Sequence, residues 1–264
     1  MSAAAELLVR RDGGVTRVTI NRPARHNPLS RAVLTELGVA MERAAGEPDL
    51  CCVLLRGAGG EYFAAGGDLQ DLRSVRSIAE TEAMVIEARG VLDSVRNCPV
   101  PVIALLNGDA MGGGAELALA CDMRVMAAHA RIGFMHGQLC LSTGWGGGTD
   151  LFDLVGRARA LRMLARAEMV PAAEALAWGL VDAVAAPGED LDGFAAGFIE
   201  PMLRQSPRLL RAFKAQALAA RQGTNRDARR AAEMQGFVQA WTHDDHWTAV
   251  DRILARNKSG PTEG

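Results

Sequence analysis

Residues 107–116 read NGDAMGGGAE, and this glycine-rich stretch is the strongest fold signal in the chain. It follows the apolar run PVIALL at residues 101–106, which is typical of a strand covered on both faces. It leads into an apolar segment that predicts a short helix. Glycine lets backbone N–H groups approach a ligand closely, and a helix N-terminus adds partial positive charge. The stretch therefore predicts either a ligand site or a tight turn.

A second segment of the same kind lies upstream, at residues 63–69, FAAGGDL. It follows the apolar run LCCVLL at residues 50–55 and also leads into a predicted short helix. If the two bends converge, one N–H group from each can point at a single oxygen atom and form an oxyanion hole. The spacing alone leaves two unconnected turns as the alternative.

The rest of the chain predicts an α/β core followed by helices. The expected elements are a hairpin over 7–20 with its turn at 12–14, helices over 30–45 and 79–95, and strands over 122–126 and 180–184. Ser30 is a plausible N-cap of the first helix. About the last 60 residues show only helical patterns, with Pro207 near a helix start. We find no linker and no internal sequence repeat.

The composition excludes several classes of protein. The 264 residues carry 29 basic and 31 acidic side chains, so the net charge of −2 excludes a globally basic nucleic-acid binder. The longest apolar stretch, residues 99–106, is far shorter than the ~20 residues of a membrane helix, and the N-terminus shows no signal-peptide pattern. The five cysteines lie mostly in apolar runs and predict buried, reduced thiols. We expect a soluble, cytoplasmic protein with no membrane partner.

Four ordered motifs together resemble the enoyl-CoA hydratase/isomerase (crotonase) superfamily over about residues 5–258. They are the segments 21–30, 63–69, 107–116 and 144–147. The resemblance implies an α/β fold, the crotonase (ClpP-like) spiral of ββα units. It divides the chain into a spiral core over 1–200 and a helical C-terminal region over 201–264, which builds homotrimers or hexamers. It also implies an acyl-CoA substrate, with coenzyme A only a part of that substrate and no permanently bound cofactor.

The resemblance assigns catalytic roles to three residues of the two glycine-rich segments. The oxyanion-hole donors are the backbone N–H groups of Gly67 and Gly113, and Glu116 stands at the position of the first catalytic carboxylate. This agrees with the chemistry, because a thioester carbonyl gains negative charge when its α-carbon becomes an enolate, and fixed N–H dipoles stabilise that charge. The alternative for Glu116 is an exposed glutamate at a helix start.

His136 is the main departure from the family pattern. Hydratases of the family carry a second glutamate twenty residues after the first, and counting from Glu116 leads to His136. An imidazole can donate as well as accept a proton near neutral pH. His136 with Trp145 resembles the ethylmalonyl-CoA decarboxylase subgroup. Hydration or isomerisation of an enoyl-CoA is therefore the default, decarboxylation of a substituted malonyl-CoA is the alternative, and a histidine that only packs stays open.

The resemblance places the coenzyme A contacts at five positions: Arg25, His26, Ala65, Asp68 and Lys258. For the charged residues, the alternative is a solvated surface charge. Asp150 lies where relatives commonly carry arginine, and the sequence offers no account of it.

Two features suggest other functions. Residues 204–230 contain eight basic residues and one acid, so RNA binding is a non-enzymatic alternative. We favour an oligomer-facing or coenzyme-facing surface and expect no nucleic-acid partner. The run HDDH at residues 243–246 has metal-capable side chains, but it lies at a helix start where the family shows an acidic turn. We expect no metal there.

Overall fold

The computed structural model describes residues 5–258, and pairs of strands followed by helices recur from residue 7 to residue 166. The strands are β1 (Leu7–Asp12), β2 (Val15–Ile20), β3 (Cys52–Gly57), β4 (Tyr62–Ala64), β5 (Val102–Leu106), β6 (Asp109–Met111), β7 (Met123–Met126), β8 (Arg131–Gly133), β9 (Met169–Pro171) and β10 (Ala183–Val184). The α-helices are α1 (Arg31–Ala45), α2 (Leu69–Leu72), α3 (Ile78–Arg96), α4 (Gly113–Ala120), α5 (Gly147–Arg166), α6 (Ala172–Trp178), α7 (Leu191–Leu203), α8 (Pro207–Arg221), α9 (Arg226–Trp241) and α10 (Asp244–Lys258). Short 3-10 turns lie at Pro23–Arg25 and Met135–Leu139.

The strands form two sheets that advance together. The larger sheet has the order β1-β2-β3-β5-β7-β10, and the smaller one has the order β4-β6-β8-β9. In the three units that begin with β3, β5 and β7, the first strand joins the larger sheet and the second strand joins the smaller one, and successive strands are parallel in each sheet. The chain therefore steps along both sheets as a spiral. The predicted α/β spiral of ββα units is confirmed.

The larger sheet forms where the sequence is continuously apolar. All five residues of β5 are buried, and β3 has only Arg56 partly exposed. Burial on both faces is the normal environment of such runs in a parallel sheet. At the sheet edge, β1 and β2 form the predicted hairpin, with Asp12 paired to Val15. Gly13 supplies the positive φ of 55° that this two-residue turn requires.

The smaller sheet was not predicted. Strands β4, β6, β8 and β9 contain three residues each, too few for an alternating pattern to be recognised. The predicted strand over 180–184 is also shorter than expected, because only Ala183 and Val184 pair, with β7. Leu180 and Val181 are buried in the turn that follows α6.

The helix starts follow local capping chemistry. Ser30 caps α1 by accepting a hydrogen bond from the Val33 amide, as predicted. Ser77 and Glu80 form a reciprocal capping box at the start of α3. Pro207 occupies the first turn of α8, where its missing N–H group costs nothing. These ends keep the long helices in place against the sheets.

The C-terminal region consists of α8, α9 and α10, as the helical patterns predicted. The division at residue 201 stays a prediction; α7 ends at Leu203 and α8 begins at Pro207. Helix α8 is tied to the core by an ion pair between buried Lys214 and Asp122. Within the residues that the structure describes, no helix is both long enough and apolar enough to span a bilayer.

The prediction of buried thiols is wrong for one cysteine. Cys140 is exposed, because it follows the surface turn Met135–Leu139 in the left-handed conformation. The other four cysteines are buried, and burial raises the pKa of Cys52 and of Cys121 to about 12. Buried thiols of this kind behave as small apolar side chains.

Candidate active site

The two glycine-rich bends are in contact. Strands β4 and β6 are parallel neighbours, so their carboxyl ends lie at the same edge of the smaller sheet. A Cβ added to Gly66 would lie 3.3 Å from the Gly113 nitrogen, and one added to Gly114 would lie 2.1 Å from the Ala64 carbonyl oxygen. Gly66 also has a φ of 99°, which favours glycine. Glycine is therefore required here by close backbone approach.

The amides of Gly67 and Gly113 both border one cavity of about 460 Å³. Gly113 is the first residue of α4, so its N–H group has no acceptor within the helix. Around Gly67, the bridge to Leu29 uses the Gly66 carbonyl and the Asp68 amide instead. Among residues 5–258, neither the Gly67 amide nor the Gly113 amide donates a backbone hydrogen bond. Their role as oxyanion-hole donors stays a prediction.

Glu116 is buried in the wall of this cavity, with 1% of its surface exposed. Its Oε2 atom accepts hydrogen bonds from the amides of Trp145 and Gly147, both at 2.9 Å. Its Oε1 atom lies 3.5 Å from the Gly144 nitrogen. An exposed glutamate at a helix start is therefore excluded. Backbone dipoles satisfy a buried carboxylate without a cation.

His136 completes the environment of this carboxylate. It lies in the turn Met135–Leu139, and its Nε2 atom is 3.1 Å from Oε1 of Glu116. The contact joins an imidazole nitrogen to a carboxylate oxygen, so one proton can be shared between the two groups. The Nδ1 atom is buried and has no hydrogen-bond partner among the described residues. The contact with Glu116 brings the imidazole to the cavity wall, and its role, in proton transfer or in packing only, stays a prediction.

The remaining walls of the cavity are mainly apolar. Met84 and Val85 of α3 line it. Leu139 and Leu141 border it from the loop after His136. The only ionisable side chains among its described lining residues are Glu116 and His136. A mainly apolar wall with a few polar groups is typical of small-molecule sites.

The predicted coenzyme A contacts are distributed over several environments. Ala65 lines the cavity. Arg25 is half exposed and donates to Gln70 at 2.7 Å, and His26 stacks on Tyr62 with ring centroids 4.3 Å apart. Lys258 ends α10, and its side chain lies outside the described part of the chain. The roles of these residues stay predictions.

Asp68 has a structural environment that the sequence did not indicate. It is buried, it caps α2, and it forms ion pairs with Arg22 at 2.9 Å and with Arg25 at 3.4 Å. Burial by itself raises the pKa of Asp68, but hydrogen bonds from Arg22 and the Asp71 amide, together with the charge of Arg22, outweigh burial and lower it. Its carboxylate thus stabilises the glycine-rich bend at residues 63–69 through contacts with neighbouring segments.

Trp145 was singled out in the sequence only as a mark of the decarboxylase subgroup, and its packing against the site was not predicted. Its indole lies against both glycine-rich bends: a Cβ on Gly113 would lie 2.4 Å from Cζ3, and one on Gly67 would lie 3.3 Å from Cη2. Its backbone amide also holds Glu116. A tryptophan inside the glycine run 144–148 was the available signal.

The sequence and fold match known proteins along nearly the whole chain. A sequence model of the enoyl-CoA hydratase/isomerase family matches residues 10–259. The chain belongs to the enoyl-CoA hydratase/isomerase family. It is an enzyme of that family, and the local resemblance to ethylmalonyl-CoA decarboxylases is also confirmed.

Individual relatives cover most of the chain. The short-chain-enoyl-CoA hydratase of Clostridium acetobutylicum is 30% identical over 252 residues, which are 96% of this chain and 95% of the relative. The ethylmalonyl-CoA decarboxylase of Xenopus tropicalis is 31% identical over 237 residues, which are 89% of this chain and 78% of the relative. The structure of an enoyl-CoA hydratase from Bacillus anthracis superimposes with a TM-score of 0.89 at 29% identity, covering 96% of this chain and 97% of that one.

Family members that are named for different reactions are thus about equally identical in sequence to this chain. The distinction between them depends on the site and not on overall identity, because one fold supports several chemistries.

In this family member, some of the basic residues of 204–230 form ion pairs within the chain. Lys214 pairs with Asp122, Arg221 with Asp150, and Arg204 with Glu200.

Proposed function

We propose that this enzyme converts an acyl-CoA thioester through an enolate. The N–H groups of Gly67 and Gly113 hold the thioester oxygen, and His136, oriented by Glu116, transfers the proton. The 3.1 Å contact between Glu116 and His136 in the wall of the glycine-lined cavity is the observation that supports this assignment. Coenzyme A takes part only as the carrier of the acyl group.

The proposed oxyanion hole follows from electrostatics. Negative charge moves to the carbonyl oxygen when the α-carbon of the thioester loses a proton. The same shift occurs when water adds to the β-carbon of an enoyl thioester. Two preorganised N–H donors stabilise this charge, and removing one such donor typically costs about 3–4 kcal/mol of the barrier. Placing both donors on glycines lets the substrate approach the backbone directly.

Hydration or isomerisation of an enoyl-CoA is the primary candidate reaction. In isomerisation, His136 removes a proton from one carbon, the electron pair moves into the enolate, and the proton returns to another carbon. In hydration, the oxygen of water bonds to the β-carbon and a proton is delivered to the α-carbon. A dyad of one carboxylate and one imidazole moves one proton at a time. These reactions would make the enzyme a hydratase, which is a lyase, or an isomerase.

Decarboxylation of a substituted malonyl-CoA is the second candidate. It is favoured by the single carboxylate in the cavity lining, because cleavage of the carbon–carbon bond needs no water held between two carboxylates. The bonding pair moves into the same enolate, carbon dioxide leaves, and His136, after taking up a proton from water, delivers it to the α-carbon. The ethylmalonyl-CoA decarboxylases of Xenopus tropicalis and Xenopus laevis are both 31% identical to this chain.

One assay panel separates the candidates. Purified enzyme is given crotonyl-CoA, a 3-enoyl-CoA, methylmalonyl-CoA and ethylmalonyl-CoA, with hydration, double-bond migration and carbon dioxide release followed separately. Hydration or migration without carbon dioxide release supports the primary candidate and removes the second. Carbon dioxide release alone has the opposite consequence. If no substrate in the panel reacts, enolate chemistry on these acyl groups is contradicted.

We further propose that the protein is a cytoplasmic homotrimer or hexamer and binds RNA no better than other acidic proteins do. Exposed apolar residues on α9 and α10 support an oligomer interface: Met234, Phe237, Val238, Trp241, Trp247, Ile253 and Leu254. Single scattered apolar residues are normal on a surface, but a contiguous group on two helices marks a contact region. Light scattering after gel filtration tests this, since a monomer at micromolar concentration contradicts it.

A further inference from the structure

Asp150, whose role the sequence left unexplained, lies between two arginines. Its Oδ2 atom accepts hydrogen bonds from Nε and Nη2 of Arg96, at 3.0 and 2.9 Å. Its Oδ1 atom pairs with Arg221 of α8 at 2.8 Å. The Asp150 side chain is 13% exposed and that of Arg96 is 10% exposed. Two charges at this depth need each other, because a buried charge without a partner is costly.

Arg96 links Asp150 to the candidate active site. The same Nη2 atom that binds Asp150 also donates to the Trp145 carbonyl oxygen at 3.1 Å. The chain passes so close to this guanidinium that a Cβ on Gly146 would lie 2.8 Å from Nη2. Gly146 also has a φ of 95°. The loop that contains Trp145 therefore packs directly against the guanidinium of Arg96, which is paired with Asp150.

This loop supports the site in two ways. The amides of Trp145 and Gly147 hold the Glu116 carboxylate, and the Trp145 indole lies behind Gly67 and Gly113. A displacement of the loop would move the carboxylate donors and the support of both bends together. Catalytic geometry is sensitive at this scale, because a shift of about 1 Å can reduce a rate by roughly a hundredfold.

We propose that Asp150 is a positioning residue, which acts through Arg96 on the loop of Trp145 and so fixes Glu116 and the two glycine-rich bends. The proposal rests on the proposed function, in which Glu116 and the two bends carry out the chemistry. Asp150 itself faces Arg96 and Arg221 and does not line the cavity. It orients Arg96 because it accepts from Nε and Nη2 of the guanidinium, whereas the more exposed Asp93 accepts from Nη1, at 2.8 Å. Without the charge of Asp150, only Asp93 still pairs with Arg96, and Nη2 is no longer fixed beside the Trp145 carbonyl.

Asp93 and Arg221 provide matched controls. Asp93→Asn removes a carboxylate from the same arginine but leaves the Asp150–Arg96–Trp145 connection intact. Arg221→Gln removes the other partner of Asp150, which ties α8 to the carbonyls of Leu119 and Ala120. It tests whether Asp150 acts through the C-terminal helix instead. Arg96→Lys is the second test variant, because a lysine ammonium lacks the planar fork that serves two acceptors at once.

The experiment measures kcat and KM of the full-length enzyme on whichever substrate it converts, together with the melting temperature of each variant. We expect Asp150→Asn and Arg96→Lys to lower kcat by roughly tenfold or more and to change KM by less than about twofold. Asp93→Asn and Arg221→Gln should stay within about twofold of the unmodified enzyme in both constants. If Asp150→Asn does not fold, Arg96→Lys decides alone.

Two results would overturn the proposal. One is a kcat for Asp150→Asn and Arg96→Lys that equals that of Asp93→Asn. The other is an Arg221→Gln variant with the same loss of kcat, which would assign the effect to the C-terminal helix. Failure of the proposed function looks different: Glu116→Gln would then keep full activity whatever the other variants do.

Discussion

The Glu116 carboxylate contacts the His136 imidazole through Oε1 and Nε2, 3.1 Å apart, although the residues belong to different ββα units. Helix α4 carries the first residue, and the turn after β8 carries the second. The carboxylate is fixed by amides from a third segment, the loop that precedes α5. This contact replaces the two-glutamate arrangement that the family resemblance implies for hydratases.

Replacing Glu116 by Gln should lower kcat by about a hundredfold or more, since a positioned acid–base group contributes about 10²–10⁴-fold. The glutamine also brings an NH₂ group against the N–H donors of Trp145 and Gly147. The exposed Glu82 of α3 offers the control Glu82→Gln, which should leave kcat unchanged. Equal rates for the two variants would remove Glu116 from the mechanism.

Replacing His136 by Gln should remove proton exchange at the α-carbon of a bound acyl-CoA. The amide keeps a hydrogen-bonding group near Glu116 but cannot take up a proton. Incorporation of deuterium from D₂O into a saturated acyl-CoA, followed by mass spectrometry, should fall by about a hundredfold or more. The exposed His129 provides the control His129→Gln. Undiminished exchange in the His136 variant would contradict its proposed role.

Gly113→Ala should abolish activity and reduce stability, because the new Cβ would lie 2.4 Å from the Trp145 ring. Gly90→Ala in α3 is the matched control, since a Cβ there meets nothing within 4 Å. Alanine is favoured over glycine in a helix by about 0.8–1 kcal/mol, so this control should raise the melting temperature. Thermal unfolding and activity are measured on both variants. A fully active Gly113→Ala enzyme would refute the close contact with Trp145.

Asp68→Asn should change how stability depends on pH. The pKa of Asp68 is lowered in the folded protein, so below the ordinary aspartate pKa of about 4 the unfolded chain binds more protons. The stabilisation is present above that pH and is lost as the pH falls through the folded-state pKa. Asparagine can still cap α2, but it leaves Arg22 without its buried partner, at a cost of about 1–3 kcal/mol.

Urea unfolding between pH 2.5 and 7 checks this expectation. The difference in unfolding free energy between the two proteins should be largest near neutral pH and should shrink toward the acid end. A difference that stays constant over the whole range would show that the charge of Asp68 is not the stabilising feature.

The elements that sequence patterns predicted correctly are those with strong local causes. Ser30 places the start of α1, and the apolar run at 101–106 gives β5. The smaller sheet was not predicted because its three-residue strands are too short to show an alternating hydrophobic pattern. Their pairing depends on the larger sheet, which brings successive ββα units into register. The structural repeat is therefore present without any repeat in the sequence.

The candidate active site likewise contains features that sequence motifs predicted and contacts that only the tertiary structure shows. The motifs placed Gly67, Gly113, Glu116 and His136 around one ligand, and the structure shows all four at one cavity. Their catalytic roles stay predictions. The reading could not foresee that Asp68 would pair with Arg22, or that Trp145 would lie behind both bends. These contacts join residues far apart in the chain, so no local spacing encodes them.

The glycine-rich motifs and apolar runs predicted an α/β core, because glycine bends and buried strands are dictated by local backbone and solvent preferences. The order of the motifs was sufficient to recognise the family, and that resemblance implied the spiral fold. Which partner each buried charged side chain binds was decided only by the tertiary structure. Asp150 illustrates this: its sequence neighbours give it no partner, yet Arg96 and Arg221 converge on it from α3 and α8. Burial makes such pairing obligatory, and tertiary packing selects the partners.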